Sequence, residues 1–415
     1  MLLRARVVLP ISRPPIDDGA VWISDNRMRT VCRWRDRTVP ASEPVVDLGE
    51  RVLLPGLVNA HCHLDYTDMA GEIAPTRFFT DWIKTITTAK AGKIYADFAQ
   101  SWLRGAQMLL RTGTTTVADI EAVPELLPEV WRATPLRVFS FLELTGVRSR
   151  REPRIILDEA VKALESLPPS RGGVGLSPHA PYSTMRELLR ISAVTARERG
   201  WRLVTHVAES DLEFDMFAHA RGEMFDWLER NERDMSDCGL GSPVQHLERN
   251  GYLADNLLAV HVNYLAPGDA ATLARRRVDV AHCPRSHAFF QHRPFPRAEL
   301  AGAGVNICLG TDSLASVAKV RGQPLELNLF AEMQAFAVAH PDVPPEEIVR
   351  MVTLHGARAV GLQGKIGELA EGAWADLIAV PYAGPAADAF AGVVRHTGGV
   401  AASMIDGQWV APPAT

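Results

Sequence analysis

Eight short strand-like runs, separated by helix-like segments, fill the middle of this 415-residue chain and constrain its fold more than any other feature. They fall at 51–60, 114–119, 137–142, 173–177, 202–206, 257–261, 278–282 and 305–310. Most are β-branched or apolar on both faces, as parallel strands covered on both sides must be. The intervening segments carry apolar residues at helical spacing. One such pattern predicts a helix over 95–111, with Phe98, Trp102, Ala106 and Leu109 on one face and Gly113 just past its end. A second helix is expected to begin at Thr184, whose spacing to Glu187 fits a capping box, and to end near Gly200. Eight strands alternating with helices predict an α/β fold, an eight-stranded (β/α) barrel.

The two chain ends read differently. Residues 2–9, 20–24, 30–33 and 43–48 look like short strands, and so do 374–380, 402–405 and 408–410, with Asp406-Gly407 as a hairpin turn. Neither end can bury a core alone. They are expected to pair into one small β-sandwich domain, residues 1–55 with 365–415, flanking a catalytic barrel of residues 56–364.

Composition narrows the functional classes. Hydrophobic residues at 47% and charged residues at 22% suit a globular enzyme. A formal net charge of −5 without a basic block argues against a nucleic-acid partner. No run is long enough to span a bilayer, and Arg4 and Arg6 interrupt the apolar start where a signal peptide would be continuous. Five scattered cysteines without a CxxC pair suit a reducing compartment. The expected location is the cytoplasm, without a membrane partner.

Chemistry-bearing residues gather where the strands end. His61 and His63 close the first run; residues i and i+2 of a strand share a side, so both can face one metal while Cys62 turns into the barrel wall. His179 follows the fourth run, His206 ends the fifth with Glu209 three residues on, His261 ends the sixth, and Asp312 follows the eighth. Catalytic groups of such barrels collect at these ends. Imidazoles plus one carboxylate, with a coordination position left open, suit a catalytic zinc ion.

Taken as a set, four stretches resemble the amidohydrolase superfamily, in its branch of mononuclear aminohydrolases. They are Leu54-Pro55-Gly56-Leu57-Val58-Asn59-Ala60-His61-Cys62-His63, Ser177-Pro178-His179-Ala180-Pro181-Tyr182-Ser183, Cys283-Pro284-Arg285-Ser286 and Leu309-Gly310-Thr311-Asp312-Ser313. The likeness covers nearly the whole chain and extends to deaminases of aminofutalosine, methylthioadenosine and S-adenosylhomocysteine. It implies that His61, His63, His206 and Asp312 bind one divalent metal, zinc or, as in some relatives, iron. The cation lowers the pKa of a water, Asp312 accepts its proton, and His261 orients it and stabilises the developing charge. Glu209 protonates the ring nitrogen beside the attacked carbon and helps ammonia leave.

The resemblance also suggests the pocket. His179 is similar to a substrate-binding histidine, and no lysine stands near it to bridge a second metal. Glu143, where a few relatives place a metal-binding carboxylate, is read as a supporting group. Asp81 is expected at ribose hydroxyls, Trp82 on the heterocycle or anchoring its loop, Arg148 at a carboxylate or sugar, and Ser286 in a wall made by 283–290. Two departures lie near the substrate: Ser316 is followed by Val317 where relatives have Asn, and 214–250 is long and charge-rich.

The implied activity is hydrolytic deamination of an adenine-type nucleoside. The alternative within enzymes is removal of a halide, an alkylamine or an amide-like group from a nitrogen heterocycle. A non-catalytic barrel scaffold is the reading of a different class, and it has no need of a full ligand set. The expected partner is a small heterocycle or nucleoside, and an exposed barrel face leaves room for a homodimer.

Overall fold

The computed structural model describes every residue except 41, 148–150, 320, 321, 323, 324, 414 and 415. Eight parallel strands pair in sequence order: Leu57–Cys62, Thr114–Glu121, Arg137–Leu144, Gly173–Pro178, Arg202–Val207, Leu257–His261, Asp279–His282 and Asn306–Leu309. A parallel bridge between Cys62 and Asp312 brings the last strand back to the first, so the sheet nearly closes into a barrel. That closure explains Gly310. A Cβ there would sit 2.8 Å from the His61 Cβ, a separation that only glycine avoids.

Burial follows the pattern of the sequence. Thr114–Glu121 and Leu257–His261 are buried at every position. Val58, Ala60, Ile120, Phe141, Val204 and Val260 pack in one cluster, while Leu203, Leu257 and Leu309 pack in another with helix residues such as Leu188 and Leu189. The helix Tyr95–Arg111 buries Phe98, Trp102, Ala106 and Leu109, and the Trp102 indole donates to Asp119 at 2.9 Å.

Two local expectations are corrected. The run 51–60 is divided between two sheets, with Gly56 at the step: Arg51–Pro55 belongs to the end sheet and Leu57–Cys62 to the barrel. The capping box at Thr184 does not form. The second helix spans Arg186–Arg199 after an N-cap at Met185 without a side-chain bond, and the buried Thr184 hydroxyl turns instead to the Leu144 carbonyl at 3.5 Å. Its far end is Gly200, at φ +65°, as expected.

The chain ends build a separate sheet. Leu2–Val8, Ile16–Ser24, Arg27–Arg33, Val45–Asp47 and Arg51–Pro55 join Leu377–Pro381, Ala402–Ile405 and Gln408–Ala411. The seam is Arg51–Pro55 running antiparallel to Leu377–Pro381, which places Leu3, Val21, Leu53, Leu377 and Met404 in one core. Asp406 and Gly407 both have left-handed φ, +55° and +77°, as a tight hairpin turn requires. The sheet is tied to the barrel by Arg137 and Asp376, an ion pair of 3.1 Å whose side chains are 4% and 1% exposed. Among the described residues no helix is long and apolar enough to cross a membrane.

Candidate active site

At the C-terminal ends of the barrel strands, three histidines converge. The ligand atoms of His61, His63 and His206 all lie within 4.8 Å of one another. His61 is fully buried, and among the described residues neither of its ring nitrogens has a hydrogen-bond partner. A buried imidazole left unpaired is costly unless something else binds it. The Nδ1–H of His206 donates to the His179 carbonyl at 2.8 Å, which fixes its tautomer and leaves Nε2 with a free lone pair.

Asp312 completes the group. Its Oδ1 is 3.5 Å from His61 Nε2 and 3.7 Å from His63 Nε2. Two ligands each about 2.1 Å from a tetrahedral ion lie about 3.4 Å apart, so these spacings fit a shared cation. Its other oxygen, Oδ2, accepts hydrogen bonds from Ser286 Oγ at 2.7 Å and Ser316 Oγ at 3.2 Å. The carboxylate is thereby held with one oxygen on serines and the other toward the histidines.

Electrostatics suit the same ligands. Burial, with the charge of His179, pushes His206 down to about 3, and burial lowers His63 well below its usual range. Neutral imidazoles are what a metal needs. Burial alone would raise Asp312, but the close imidazole of His61 and the charges of His261 and His63 hold it well below the usual carboxylate range. The residues present therefore fit a divalent metal ion.

Beside this group stand Glu209 and His261, whose ligand atoms lie within 4.8 Å of each other and of Asp312. Glu209 Oε1 is 3.5 Å from His261 Nε2. Burial, then the charges of Asp312 and Glu213, raises the Glu209 carboxyl well above its usual range, which favours its protonated form. Burial lowers His261 well below its usual value and keeps it neutral.

The backbone is bent to aim these groups. Ala208, His261 and Asp312 adopt φ of +50°, +74° and +53°, left-handed values at three strand ends where no glycine stands. Such residues cost about 1–3 kcal/mol each and persist only where the surroundings enforce them. Here Asn263 N donates to the Ala208 carbonyl at 3.0 Å, and Asp312 N to the His61 carbonyl at 3.0 Å. The Asn59 side chain clamps the loop from within, donating to Thr311 Oγ1 at 2.8 Å and accepting from Thr311 N at 3.0 Å.

A cavity of about 580 Å³ opens over this cluster and includes His63, His206, Glu209, His261 and Asp312 in its lining. His179 lines it, with Nδ1 2.6 Å from Ser183 Oγ and Nε2 3.8 Å from Glu143 Oε1. Glu143 lies in the same wall, outside both groups of converging ligand atoms. Trp82 lines the cavity and also anchors it, stacking on Phe79 at 5.9 Å and meeting Phe290 edge-on at 5.2 Å.

Three pocket expectations fare differently. Asp81 points away from the cavity, its side chain 45% exposed and 3.1 Å from Lys84 Nζ, because the helix face that meets the cavity carries Trp82 and Ile83 instead. Ser286 does not line the cavity: it is buried beneath Asp312, where its hydroxyl is already committed. Arg148 lies outside the described residues. Sequence reasoning missed Asn59, Glu213, Tyr66 and Lys90. Extending the helical period from Trp82 by two turns would have reached Lys90, while Asn59, two residues before His61, shows its role only once the eighth strand docks.

A sequence profile of the amidohydrolase family matches residues 52–410. The 5-methylthioadenosine/S-adenosylhomocysteine deaminase of Syntrophobacter fumaroxidans is 31% identical over 357 residues, covering 82% of this chain and 74% of that protein. Among solved structures, Helicobacter pylori aminofutalosine deaminase in complex with methylthio-coformycin superposes with a TM-score of 0.87 at 21% identity, covering 99% of both chains. Zinc-complexed atrazine chlorohydrolase TrzN from Arthrobacter aurescens TC1 superposes at 0.82 with 19% identity, covering 99% of this chain and 94% of that one. At these identities the structural likeness is one of fold.

Proposed function

The chain belongs to the amidohydrolase family, and from that premise we propose that it is a metal-dependent hydrolytic deaminase of an adenine-type nucleoside. The observation that carries this reading is the convergence of three buried histidines with Asp312, and beside them Glu209 and His261 3.5 Å apart. His61, His63, His206 and Asp312 would hold one divalent ion, with zinc the first candidate. Bound there, such an ion supplies Lewis acidity that brings the pKa of a water toward about 7.

The chain's own groups then have distinct tasks. Glu209 gives its proton to the ring nitrogen next to the carbon that carries the amine, making that carbon more electrophilic. Asp312, ionised and braced by two serines, accepts a proton from the attacking water. His261, neutral and 3.5 Å from Glu209, orients that water and stabilises charge as it develops on oxygen. The C–N bond then breaks, ammonia leaves with the proton passed on, and the ring keeps the oxygen. Trp82 and His179 hold the substrate over these groups.

The same attack on a ring carbon bearing a halide or alkylamine is the second reading. The deaminase relative at 31% identity favours the amine. A scaffold without catalysis has no use for buried, unpaired histidine nitrogens and left-handed strand ends. The test is product analysis with zinc-loaded protein on a panel of adenine nucleosides, amino-heterocycles and their chloro analogues. Ammonia from one nucleoside supports the proposal. Halide release without ammonia, metal being bound, would replace it with the second reading.

A further inference from the structure

Glu209 and His261 belong to two neighbouring strand ends, those of Arg202–Val207 and Leu257–His261, and the buried Asn263 ties the two together. Its backbone N–H donates to the Ala208 carbonyl at 3.0 Å and its side-chain amide to the Glu209 carbonyl at 2.9 Å. Two successive carbonyls of one loop are thus held by one residue of the next. With its nitrogen committed to Glu209, the amide has only its oxygen left, and His287 Nδ1 meets that oxygen at 3.0 Å. An amide oxygen accepts and cannot donate, so Nδ1 carries the hydrogen and the tautomer of His287 is set.

The His287 ring is itself held. It meets the rings of His282 at 5.2 Å and His292 at 5.4 Å, and His292 Nδ1 lies 3.3 Å from the Tyr264 hydroxyl. Burial lowers His287 to about 4, which makes it a neutral donor near neutral pH. It sits on the short helix Pro284–Phe289, next to Ser286, whose hydroxyl braces Asp312 at 2.7 Å. Adjacent residues of one helix therefore reach both proton-handling carboxyls. Ser286 touches Asp312 directly, and His287 reaches Glu209 through Asn263.

We propose that His287 is a positioning residue for Glu209, acting through the Asn263 amide to hold the Glu209 peptide in register with His261 and Asp312. This rests on the nucleoside-deaminase reading and adds to it a group outside the lining of the cavity. Without the His287 donor, the Asn263 oxygen is left buried and unsatisfied, and the amide is free to turn away from Glu209. A reacting group misplaced by about 1 Å costs about 10²-fold in rate.

The experiment uses the zinc-loaded full chain and the adenine nucleoside that the native protein turns over. Leucine and asparagine have nearly the same shape, and the asparagine amide nitrogen falls where Nδ1 stands. His287→Leu should lower kcat about 10–100-fold, with KM changed less than about twofold and metal content native. His287→Asn, which keeps the donor, should recover most of the loss. If His287→Leu does not fold, His287→Gln takes its place, because it fills the space but carries its amide past the Nδ1 position. Added to Glu209→Gln, the same substitution should reduce kcat no further, since no acid is left to aim. Native kcat in His287→Leu, an equal loss in His287→Asn, or a full further loss on top of Glu209→Gln would each overturn the positioning role. Halide release in place of ammonia overturns the deaminase reading alone, because the variants are then compared on that product. No turnover of any probe by metal-bound native protein overturns both.

Discussion

The carboxyl of Glu213 accepts the backbone N–H of Glu209 at 2.9 Å, so the proposed acid is aimed by a second carboxyl one helical turn further on. Glu213 thereby holds the backbone just after Ala208, the left-handed residue before Glu209. It is fully buried, and burial pushes it up to about 8.

A pH signature follows. The folded value of Glu213 lies above the unfolded one near 4.5, so the stability linked to its protonation is whole below about pH 4.5 and is lost as pH rises toward about 8. Glu213→Gln keeps an oxygen acceptor and removes this loss. Denaturant unfolding at about pH 5 and pH 8 should show the variant gaining on the native protein at the higher pH. Glu213→Ala, which strands the Glu209 N–H, should lower kcat about tenfold with metal content unchanged.

Glu209→Gln should lower kcat by about 10²–10⁴, the range for losing a proton-transfer group, while metal content matches that of the native protein. Metal analysis alongside the ammonia assay separates this from loss of the site. A variant with near-native turnover would remove Glu209 from the mechanism.

Ser286→Ala frees Asp312 Oδ2 from its 2.7 Å hydrogen bond. Loss of such a brace typically weakens metal affinity about 10–100-fold. Metal titration should show this weakening, with kcat reduced and KM little changed once the site is saturated. A rise confined to KM would mean that Ser286 meets the substrate after all.

Chelation should lower Tm as well as activity, because the proposed ion would give the buried His61 Nε2 a partner that it finds nowhere else among the described residues. At free metal about 100-fold above Kd the ion contributes about 2.7 kcal/mol. Calorimetry with and without chelator measures it, and His61→Ala should lose most of the difference.

Arg137→Ala should cost about 3–5 kcal/mol, since it leaves Asp376 buried and unpaired where the end sheet meets the barrel. Equilibrium unfolding reads this directly. Because the pair lies far from the converging histidines, the folded fraction should bind metal as tightly as the native chain.

Much of this arrangement is legible in the amino-acid sequence. The strand pattern marks a barrel because parallel strands buried on both faces leave an unbroken apolar signature, as at 114–121. The proposed metal-binding group is legible because strand ends bring His61, His63, His206 and Asp312 together. Pocket walls are not legible in the same way. Whether Asp81 or Trp82 faces the cavity depends on the rotation of one helix, which the packing of Phe79 against Phe290 sets. Ser286 reads as a wall residue because its loop follows a strand, but the short helix Pro284–Phe289 carries its hydroxyl under Asp312. The step at Gly56 is hidden because the two strands on either side are both apolar, and only the close approach of the Thr115 side chain, which leaves no room for a Cβ, marks it.

The seam between Arg51–Pro55 and Leu377–Pro381 has a consequence for how the protein is made. On the ribosome, Arg51–Pro55 emerges first and can pair on one side with Leu2–Val8, but its other edge must wait until Leu377–Pro381 has been synthesised. One residue beyond that waiting edge begins the strand that leads into His61 and His63. A nascent chain cut short before Leu377 would leave the strand that carries two of the proposed metal ligands without its neighbouring anchor. Synthesis of Leu377–Pro381 is thus coupled to completion of the sheet that anchors this strand, and copies cut short before it would expose an edge open to aggregation.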